Sequence, residues 1–332
     1  MSERIAVIGG AGYVGSHAAK ALAATGAVPV VIDNLSAGHA HAVQWGPLVQ
    51  ADIRDTAALA QGLRDHGVCA AMMFAASIEV GIGEREPLAF YENNVAGMIS
   101  TLRALRMAGV ESLIFSSTCA VHGATPPPLV ETSPVAPVSV YGRSKAFCEA
   151  IISDLVRAEG LKAGVLRYFN ASGADPDGDI GEEHEPETHL IPNALKAAAG
   201  IGAGLTVFGT DYDTPDGTCL RDYVHVSDLG EAHVAALAHV RARGGLTTLN
   251  LGTGRPYSVR EVIDTVERVT GLGVPATYAA RRPGDAPVLT ADISAARATI
   301  GFAPRYSGLD TIVATAWAFH RKVWAKAGLI KP

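Results

Sequence analysis

The feature that most constrains this chain is a glycine-rich turn between a short apolar run and an alanine-rich stretch. Ile5-Ala6-Val7-Ile8 leads into Gly9-Gly10-Ala11-Gly12-Tyr13-Val14-Gly15-Ser16-His17, and helix-favouring residues follow to Ala24. The apolar run reads as a buried parallel strand. Glycines at 9, 12 and 15 permit a tight turn and close packing of the helix on the strand. The helix N-terminus offers free N–H donors and the positive end of a dipole, which suits a pyrophosphate.

The strand–helix alternation then continues. Val28–Ile32 reads as a second strand, ending in Asp33-Asn34-Leu35-Ser36-Ala37-Gly38. An acidic residue there accepts ribose hydroxyls and repels a 2′-phosphate, which points to NAD rather than NADP. Leu48–Ala51 is a third strand, followed by Asp52-Ile53-Arg54, with Asp55 placed to cap a helix. Ala70–Ala75 is a fourth, followed by Ala76-Ser77-Ile78-Glu79, and Asn93-Asn94 opens a helix running to about Ala108. Leu113–Phe115 is a fifth, followed by Ser116-Ser117-Thr118-Cys119-Ala120. Prolines across Ala124–Val140 exclude helix and central strand, so this stretch is expected to be a loop. A helix from Tyr141 to about Glu159 and a sixth strand, Ala163–Tyr168, follow, ending in Phe169-Asn170. The expected fold is α/β, a Rossmann-type doubly wound parallel sheet with a smaller mixed α/β C-terminal domain.

Beyond residue 170 the pattern loosens. Asp175–Thr188 is rich in Gly, Asp, Glu and Pro and reads as an exposed loop. Leu190–Ala199 reads as helix, Leu205–Phe208 as strand, Gly209–Thr218 as a polar loop and Arg221–Val226 as strand. Asp228 is expected to cap the next helix, Leu249–Gly252 to return a strand to the main sheet, and Ser258–Glu261 to form a capping box. Ala279–Asp285 forms a further loop. The expected organisation is an NAD-binding Rossmann domain over 1–170, rejoined by segments near 221–255. Residues 171–332 form mainly the substrate domain, with the active site in the cleft between the two.

Composition narrows the function classes. The 332 residues are 48% hydrophobic and 18% charged, which fits one large or two smaller domains. A net charge of −6 argues against a nucleic-acid partner. The four cysteines, Cys69, Cys119, Cys148 and Cys219, form no C-x-x-C pair, and no Cys/His cluster points to zinc. No metal is expected, and the thiols are read as free, as in a reducing compartment. The stretch after Met1 shows no secretory signal, and no run approaches the ~20 apolar residues a membrane span needs. A cytoplasmic protein without membrane association is expected.

One short stretch adds chemistry. Tyr141 and Lys145 in Tyr141-Gly142-Arg143-Ser144-Lys145 lie one helical turn apart on one face. A free tyrosine, with a pKa near ~10, is a poor base at neutral pH. A neighbouring ammonium favours the phenolate, so the pair is a candidate for removing a hydroxyl proton. The spacing alone is common in helices.

The segments GGAGYVGSH, VIDNLSAG, ADIRD, FAAS, NNVAG, FSSTCAVHG, PVSVYGRSK, LRYFNASGA, FGTDYDTPDGTCLRDYVHV, NLGTG and RRPGD occur in this order. Over essentially the whole chain they resemble the extended short-chain dehydrogenase/reductase family, specifically its NAD-dependent UDP-glucose 4-epimerases. The resemblance implies reversible interconversion of UDP-glucose and UDP-galactose. The sugar is oxidised at C4, the 4-keto sugar rotates, and tightly bound NAD re-reduces it. It implies Thr118, Tyr141 and Lys145 as catalytic residues, with Tyr141 the base. NAD is implied to lie on Gly9, Gly12, Tyr13, Val14, Gly15, Asp33 and Asn34, Leu35, Ser36, Ala37, Gly38. Asp52 and Ile53, Phe74, Ala75, Ala76, Ser77 and Ile78, and Asn94, Thr118, Tyr141, Lys145 and Phe169 complete that site. The UDP-sugar is implied to meet Thr118, Tyr141, Asn170, His189, Leu190, Thr206, Val207, Phe208, Arg221, Arg282, Asp285 and Leu289.

Two positions depart from the family. Ile78 stands where some members carry lysine. Leu289 stands where a tyrosine or a smaller residue is usual, near the sugar C2 substituent, which leaves specificity open. Alternatives are a 4-epimerase of UDP-N-acetylhexosamines or UDP-pentoses, and more remotely a nucleotide-sugar dehydratase or decarboxylase, or a non-enzymatic NAD-binding protein. The lyases need an acid–base residue just after the threonine, where this chain has Cys119-Ala120. His122 matches no catalytic position and is read as structural. Relatives pair as homodimers through a four-helix bundle, which here involves the helices near 94–108 and 141–159. Leu102, Leu105, Ile151 and Leu155 are candidates for its seam.

Overall fold

The computed structural model describes residues 2–282 and 285–331, so Pro283 and Gly284 of the RRPGD segment lie outside the described residues. Strands β1 (Arg4–Ile8), β2 (Val28–Asp33), β3 (Leu48–Gln50), β4 (Ala70–Met73), β5 (Ser112–Thr118) and β6 (Lys162–Tyr168) alternate with helices. The strands β7 (Asn170–Ser172), β8 (Leu205–Phe208) and β9 (Leu220–His225) lie outside that sheet, and β10 (Leu246–Leu251) returns to it. The seven-stranded order is β3-β2-β1-β4-β5-β6-β10, with every pairing parallel. The order reverses beside β1, the point at which such sheets open a crevice at their C-terminal edge.

Successive strand residues face opposite sides, and each side is buried. Ile5 and Val7 pack with Ala18, Leu22, Leu229 and Leu237, from the helices Tyr13–Ala24 and Val226–Arg243. Ala6 and Ile8 pack on the opposite side with Leu59, Leu63, Leu105 and Ile152. Each fully buried Ile or Leu contributes ~1.5–3 kcal/mol, so the run of four apolar residues in β1 fits a central strand and no other position.

The C-terminal half adds β11 (Pro256–Ser258), β12 (Ala276–Ala279) and β13 (Val288–Leu289). β9 pairs with β7, β11 and β13, while β8 pairs with β12. A separate core of Ile191, Leu195, Val207, Tyr223, Val262, Ile312 and Trp324 holds this half together. The expected capping boxes and caps form at Ser258–Glu261 and Asp55.

Four sequence expectations need correction. The helix before β5 opens at Pro87, not Asn93, and carries a π-turn over Glu92–Ala96 before Gly97–Met107. β9 runs straight into the helix Val226–Arg243, so His225 caps it and its Nδ1 accepts from Ser227 N. Asp228 falls in the first turn and instead holds Arg305 N, Tyr306 N and Ser307 Oγ at 2.9, 3.0 and 2.6 Å. The 175–188 segment is not simply exposed, because Asp175, Ile180 and Glu182 are buried. Leu102 and Leu105 are buried in the chain's own core, and Ile151 and Leu155 pack against it, so these four are not a free seam. Among the described residues no helix is long and apolar enough to cross a membrane.

Candidate active site

The glycine turn leaves β1 with Gly9 at φ 83°, where an L side chain is strained. A Cβ on Gly15 would stand 2.2 Å from the Gly9 carbonyl oxygen, so only glycine lets the helix approach this closely. Gly12 precedes the helix Tyr13–Ala24, and no side chain caps it, leaving its first-turn donors for an anion. Tyr13 Oη donates to Gly173 O at 2.6 Å, tying the turn to the chain after β7.

At the end of β2, the buried Asp33 accepts from Ala11 N at 3.0 Å and Leu35 N at 2.8 Å. Leu35 carries a φ of 60°. Asn34 Oδ1 accepts from Ser36 N, Ala37 borders a small pocket beside Gly12, and His39 N donates to Ala11 O next to Gly38. The turn and the Asp33 loop therefore brace one another, and their donor set fits a dinucleotide. Asp52 accepts three hydrogen bonds from Arg54, one of them from its backbone N–H, and one from Asn34, and Arg54 holds its carboxyl well below the usual range. Ile53 is buried against Gly97, where a Cβ would stand 2.6 Å from its Cδ1. Its side chain belongs to the core.

After β4, Phe74 packs on His233 with centroids 4.7 Å apart, and Ala75 abuts Gly9. Asn94 lies in the π-turn, a distortion common at functional sites. Its side chain accepts from Ser77 N at 2.7 Å and donates to Ser77 O and Ser144 Oγ, both at 3.0 Å. One buried amide thus joins the Ala76–Ile78 segment to the helix Val140–Glu159. Phe169 is buried in the main core.

That helix carries Tyr141 and Lys145. Ser139 Oγ caps it by accepting from Gly142 N at 3.0 Å, and Glu84 Oε1 accepts from Val140 N at 2.7 Å. Lys145 Nζ is buried and donates to Ser116 O at 2.8 Å, 5.9 Å from the centre of the Tyr141 ring. Burial lowers Lys145 to about 8. Burial pushes the half-buried Tyr141 phenol above its ordinary value, and the Thr118 hydroxyl pulls the other way. Thr118 ends β5, and its Oγ1 accepts from Ala120 N at 3.1 Å.

Behind these residues is a network that the sequence reading missed. Glu149 accepts from Ser117 Oγ at 2.5 Å and pairs with Arg167, 2.6 Å away at Nη2 and 3.0 Å at Nε. Glu149 lies four residues beyond Lys145 on the same helix, and that i, i+4 spacing was the available signal. His122 is fully buried, with Nδ1 3.0 Å from Pro134 O.

A cavity of about 460 Å³ opens in the smaller half. Its walls include Asn170, His189, Leu190, Thr206, Val207, Phe208, Arg221, Arg282 and Asp285, which sequence reasoning scattered over more than a hundred positions. Glu182, Asn193, Cys219 and Tyr223 also line it and were not anticipated. Asn170 Nδ2 donates to Asp222 O, and Arg221 donates to Ala286 O at 2.8 Å and to Asp285 Oδ1 at 3.1 Å. Arg282 covers the Phe208 ring at 4.1 Å, a cation–π contact. Leu289 does not line this cavity; it is half-buried on β13, opposite Arg221 in register. Thr118, Tyr141 and Lys145 also lie outside its walls.

A parallel sheet with a glycine turn at its switch point, and an acidic residue closing the next strand, defines a doubly wound dinucleotide-binding protein. The chain belongs to the NAD dependent epimerase/dehydratase family, whose model matches residues 5–252. It is 48% identical to the UDP-glucose 4-epimerase of Rhizobium meliloti (strain 1021) over 322 residues, covering 97% of this chain and 98% of that protein. The crystal structure of UDP-glucose 4-epimerase from Brucella ovis in complex with NAD superposes with a TM-score of 0.93. It has 48% identity and covers 96% of this chain and 98% of that one. The UDP-glucose-4-epimerase of Stenotrophomonas maltophila, solved with NAD and formylated UDP-arabinopyranose, gives a TM-score of 0.94. It has 37% identity and covers 98% of this chain and 100% of that one.

Proposed function

We propose that this protein interconverts UDP-glucose and UDP-galactose by inverting C4 with NAD held in the glycine-turn crevice. The observation that carries this reading is one arrangement. Thr118, Tyr141 and Lys145 gather at the sheet edge, beside a separate cavity lined by Arg221, Arg282 and Phe208. Such a pair of sites suits one substrate with a reactive sugar and an anchored nucleotide.

The first-turn N–H groups of Tyr13–Ala24 would hold the NAD pyrophosphate and Asp33 the adenosine ribose. NAD, when bound, supplies a hydride acceptor and donor for C4 and ends the cycle as it began. Tyr141 takes the C4 hydroxyl proton and returns it to the inverted hydroxyl. Thr118 hydrogen-bonds the same oxygen, and Lys145 holds positive charge near the developing phenolate. Arg221 and Arg282 anchor the diphosphate while the sugar turns. The deep placement of Lys145 and Thr118 keeps water from the reacting oxygen.

Elimination chemistry lacks its catalyst. Cys119 follows Thr118, and burial pushes its thiol up to about 12, so it offers no base at neutral pH. A non-enzymatic NAD-binding role leaves the Thr118–Tyr141–Lys145 group without purpose. The division of labour between residues 1–170 with 221–255 and the remainder of 171–332 is part of the proposal; β10 beside β6 supports it. So is a cytoplasmic homodimer. Four unpaired cysteines support the compartment, and Leu88 and Phe147, 77% and 52% exposed near the helices concerned, support an apolar pairing face.

The test is incubation of the purified protein, without added NAD, with UDP-galactose, UDP-N-acetylgalactosamine and UDP-arabinose, products being read by NMR. UDP-glucose from the first tube is the expected result. Turnover of the pentose or N-acetyl sugar alone would move the substrate assignment to that class, and no turnover in any tube would overturn the reading.

A further inference from the structure

Four side chains given no chemical step in the mechanism gather where the 182–189 segment crosses between the glycine turn and the substrate cavity, which two of them, Glu182 and His189, line. The ligand-type atoms of Glu182, His184, Glu187 and His189 all lie within 4.8 Å of one another. We propose that these four residues bind one divalent transition-metal ion of the zinc class, clamping the 175–189 segment between the cofactor turn and the cavity.

The donor separations bracket those of a tetrahedral site. Glu182 Oε1 is 3.1 Å from His184 Nδ1 and 2.5 Å from His189 Nδ1. Glu187 is 3.4 Å from His189 Nδ1 through Oε1 and 4.0 Å from His184 Nδ1 through Oε2. Tetrahedral zinc with bonds of ~2.0–2.1 Å separates its ligands by ~3.3 Å, within that spread. Two imidazoles and two carboxylates form a donor set that zinc accepts.

Charge makes the same case. The Glu182 and Glu187 side chains are each 3% exposed, and among the described residues no lysine or arginine pairs with either. Two buried carboxylates need compensating positive charge. Without an ion, His189 carries it: burial lowers its pKa, but Glu182 and Glu187 outweigh that and raise it to about 10. Glu187 Oε1 also accepts from Thr188 N at 2.7 Å and His189 N at 2.8 Å. His189 Nδ1 is itself buried and, despite its closeness to Glu182, makes no aligned hydrogen bond. A divalent ion with neutral imidazoles would satisfy all four groups at once. The adjacent acidic cluster shows the contrast. Asp175, Asp177 and Asp179 already surround the Lys20 ammonium at 2.7, 2.8 and 2.9 Å.

The position gives the ion a structural task. His184 lies 6.3 Å from the Tyr13 ring of the glycine turn, and Glu182 and His189 line the substrate cavity. His189 also precedes the helix Leu190–Ala198.

The experiment uses the full chain without a histidine tag, stripped with a chelator, incubated with zinc chloride and desalted. Elemental analysis is expected to find about one zinc per chain. Stripping lowers the thermal midpoint, and zinc restores it while magnesium chloride does not. His184→Asn combined with Glu187→Gln retains a wild-type far-UV spectrum and bound NAD but less than ~0.1 zinc per chain. In wild type, cobalt(II) gives the visible bands of a tetrahedral site, a readout independent of any variant's folding. Less than ~0.1 zinc per reconstituted wild-type chain, equal zinc in wild type and double variant, restoration by magnesium, or absent cobalt bands would each overturn the proposal.

Discussion

Replacing Glu149 with leucine probes the scaffold behind the reacting residues. In the native chain its carboxylate receives Arg167 Nη2 at 2.6 Å, Arg167 Nε at 3.0 Å and Ser117 Oγ at 2.5 Å. The side chains of Arg167 and Glu149 are 7% and 11% exposed, so water cannot replace the lost partner. Arg167 keeps only its bond to Glu131 O at 3.0 Å and a 3.4 Å contact with His122 Nε2. Removing one member of a buried pair costs ~3–5 kcal/mol, mostly from the charge left behind. Removing both charges, as Glu149→Leu with Arg167→Met, is expected to cost below ~2 kcal/mol, because no unpaired charge remains. Urea unfolding of wild type, both single variants and the double variant measures the coupling. Ser117 adjoins Thr118, and Glu149 shares a helix with Lys145, so turnover is expected to fall in the single variant and partly recover in the double. A single-variant loss below ~1 kcal/mol, or additive single and double effects, would refute the reasoning.

The remaining expectations are direct. Tyr141→Phe keeps bound NAD, read by absorbance after denaturation, while epimerisation falls by about 10²–10⁴-fold, the usual contribution of a positioned acid–base group. Burial lowers Lys145 from 10.5 to about 8, so the folded protein loses this proton before the unfolded chain does. The unfolded state then binds more protons between these values, and stability rises with pH there. The difference of about 2.5 units gives cofactor-free wild type about 3 kcal/mol relative to Lys145→Met between pH 8 and 10.5, measured by urea unfolding.

The sheet was legible because strands buried on both faces leave short apolar runs, and each run ends at residues no core would choose. Asp33, Thr118 and Asn170 stand out for that reason. Tyr141 and Lys145 were legible through helical spacing. The cavity in the smaller half was less so. Phe208 and Arg282 meet only because β8 pairs with β12, whose chain then continues to Arg281 and Arg282, and short parallel pairings leave little local pattern. The first helical turn after β9 was misread because an aspartate two residues into a helix looks like a cap until the strand end is known. The 175–188 segment was misread because its polarity signals solvent, whereas Lys20, Tyr13 and the His–Glu cluster bury much of it. The Glu149–Arg167 pair joins a helix to a strand, and neither residue shows the partnership in its own neighbourhood.

The central claim is that the hydrogen at the sugar's C4 leaves as a hydride and returns to the same carbon. It is tested most directly with UDP-galactose deuterated at C4, turned over to equilibrium in ordinary water, with UDP-glucose examined by NMR and mass spectrometry. The account predicts that the product retains the deuterium at C4 and gains no solvent hydrogen there. Loss of the label to water would show that C4 exchanges a proton rather than a hydride, and would contradict the assignment of Tyr141 and the glycine-turn crevice to this chemistry.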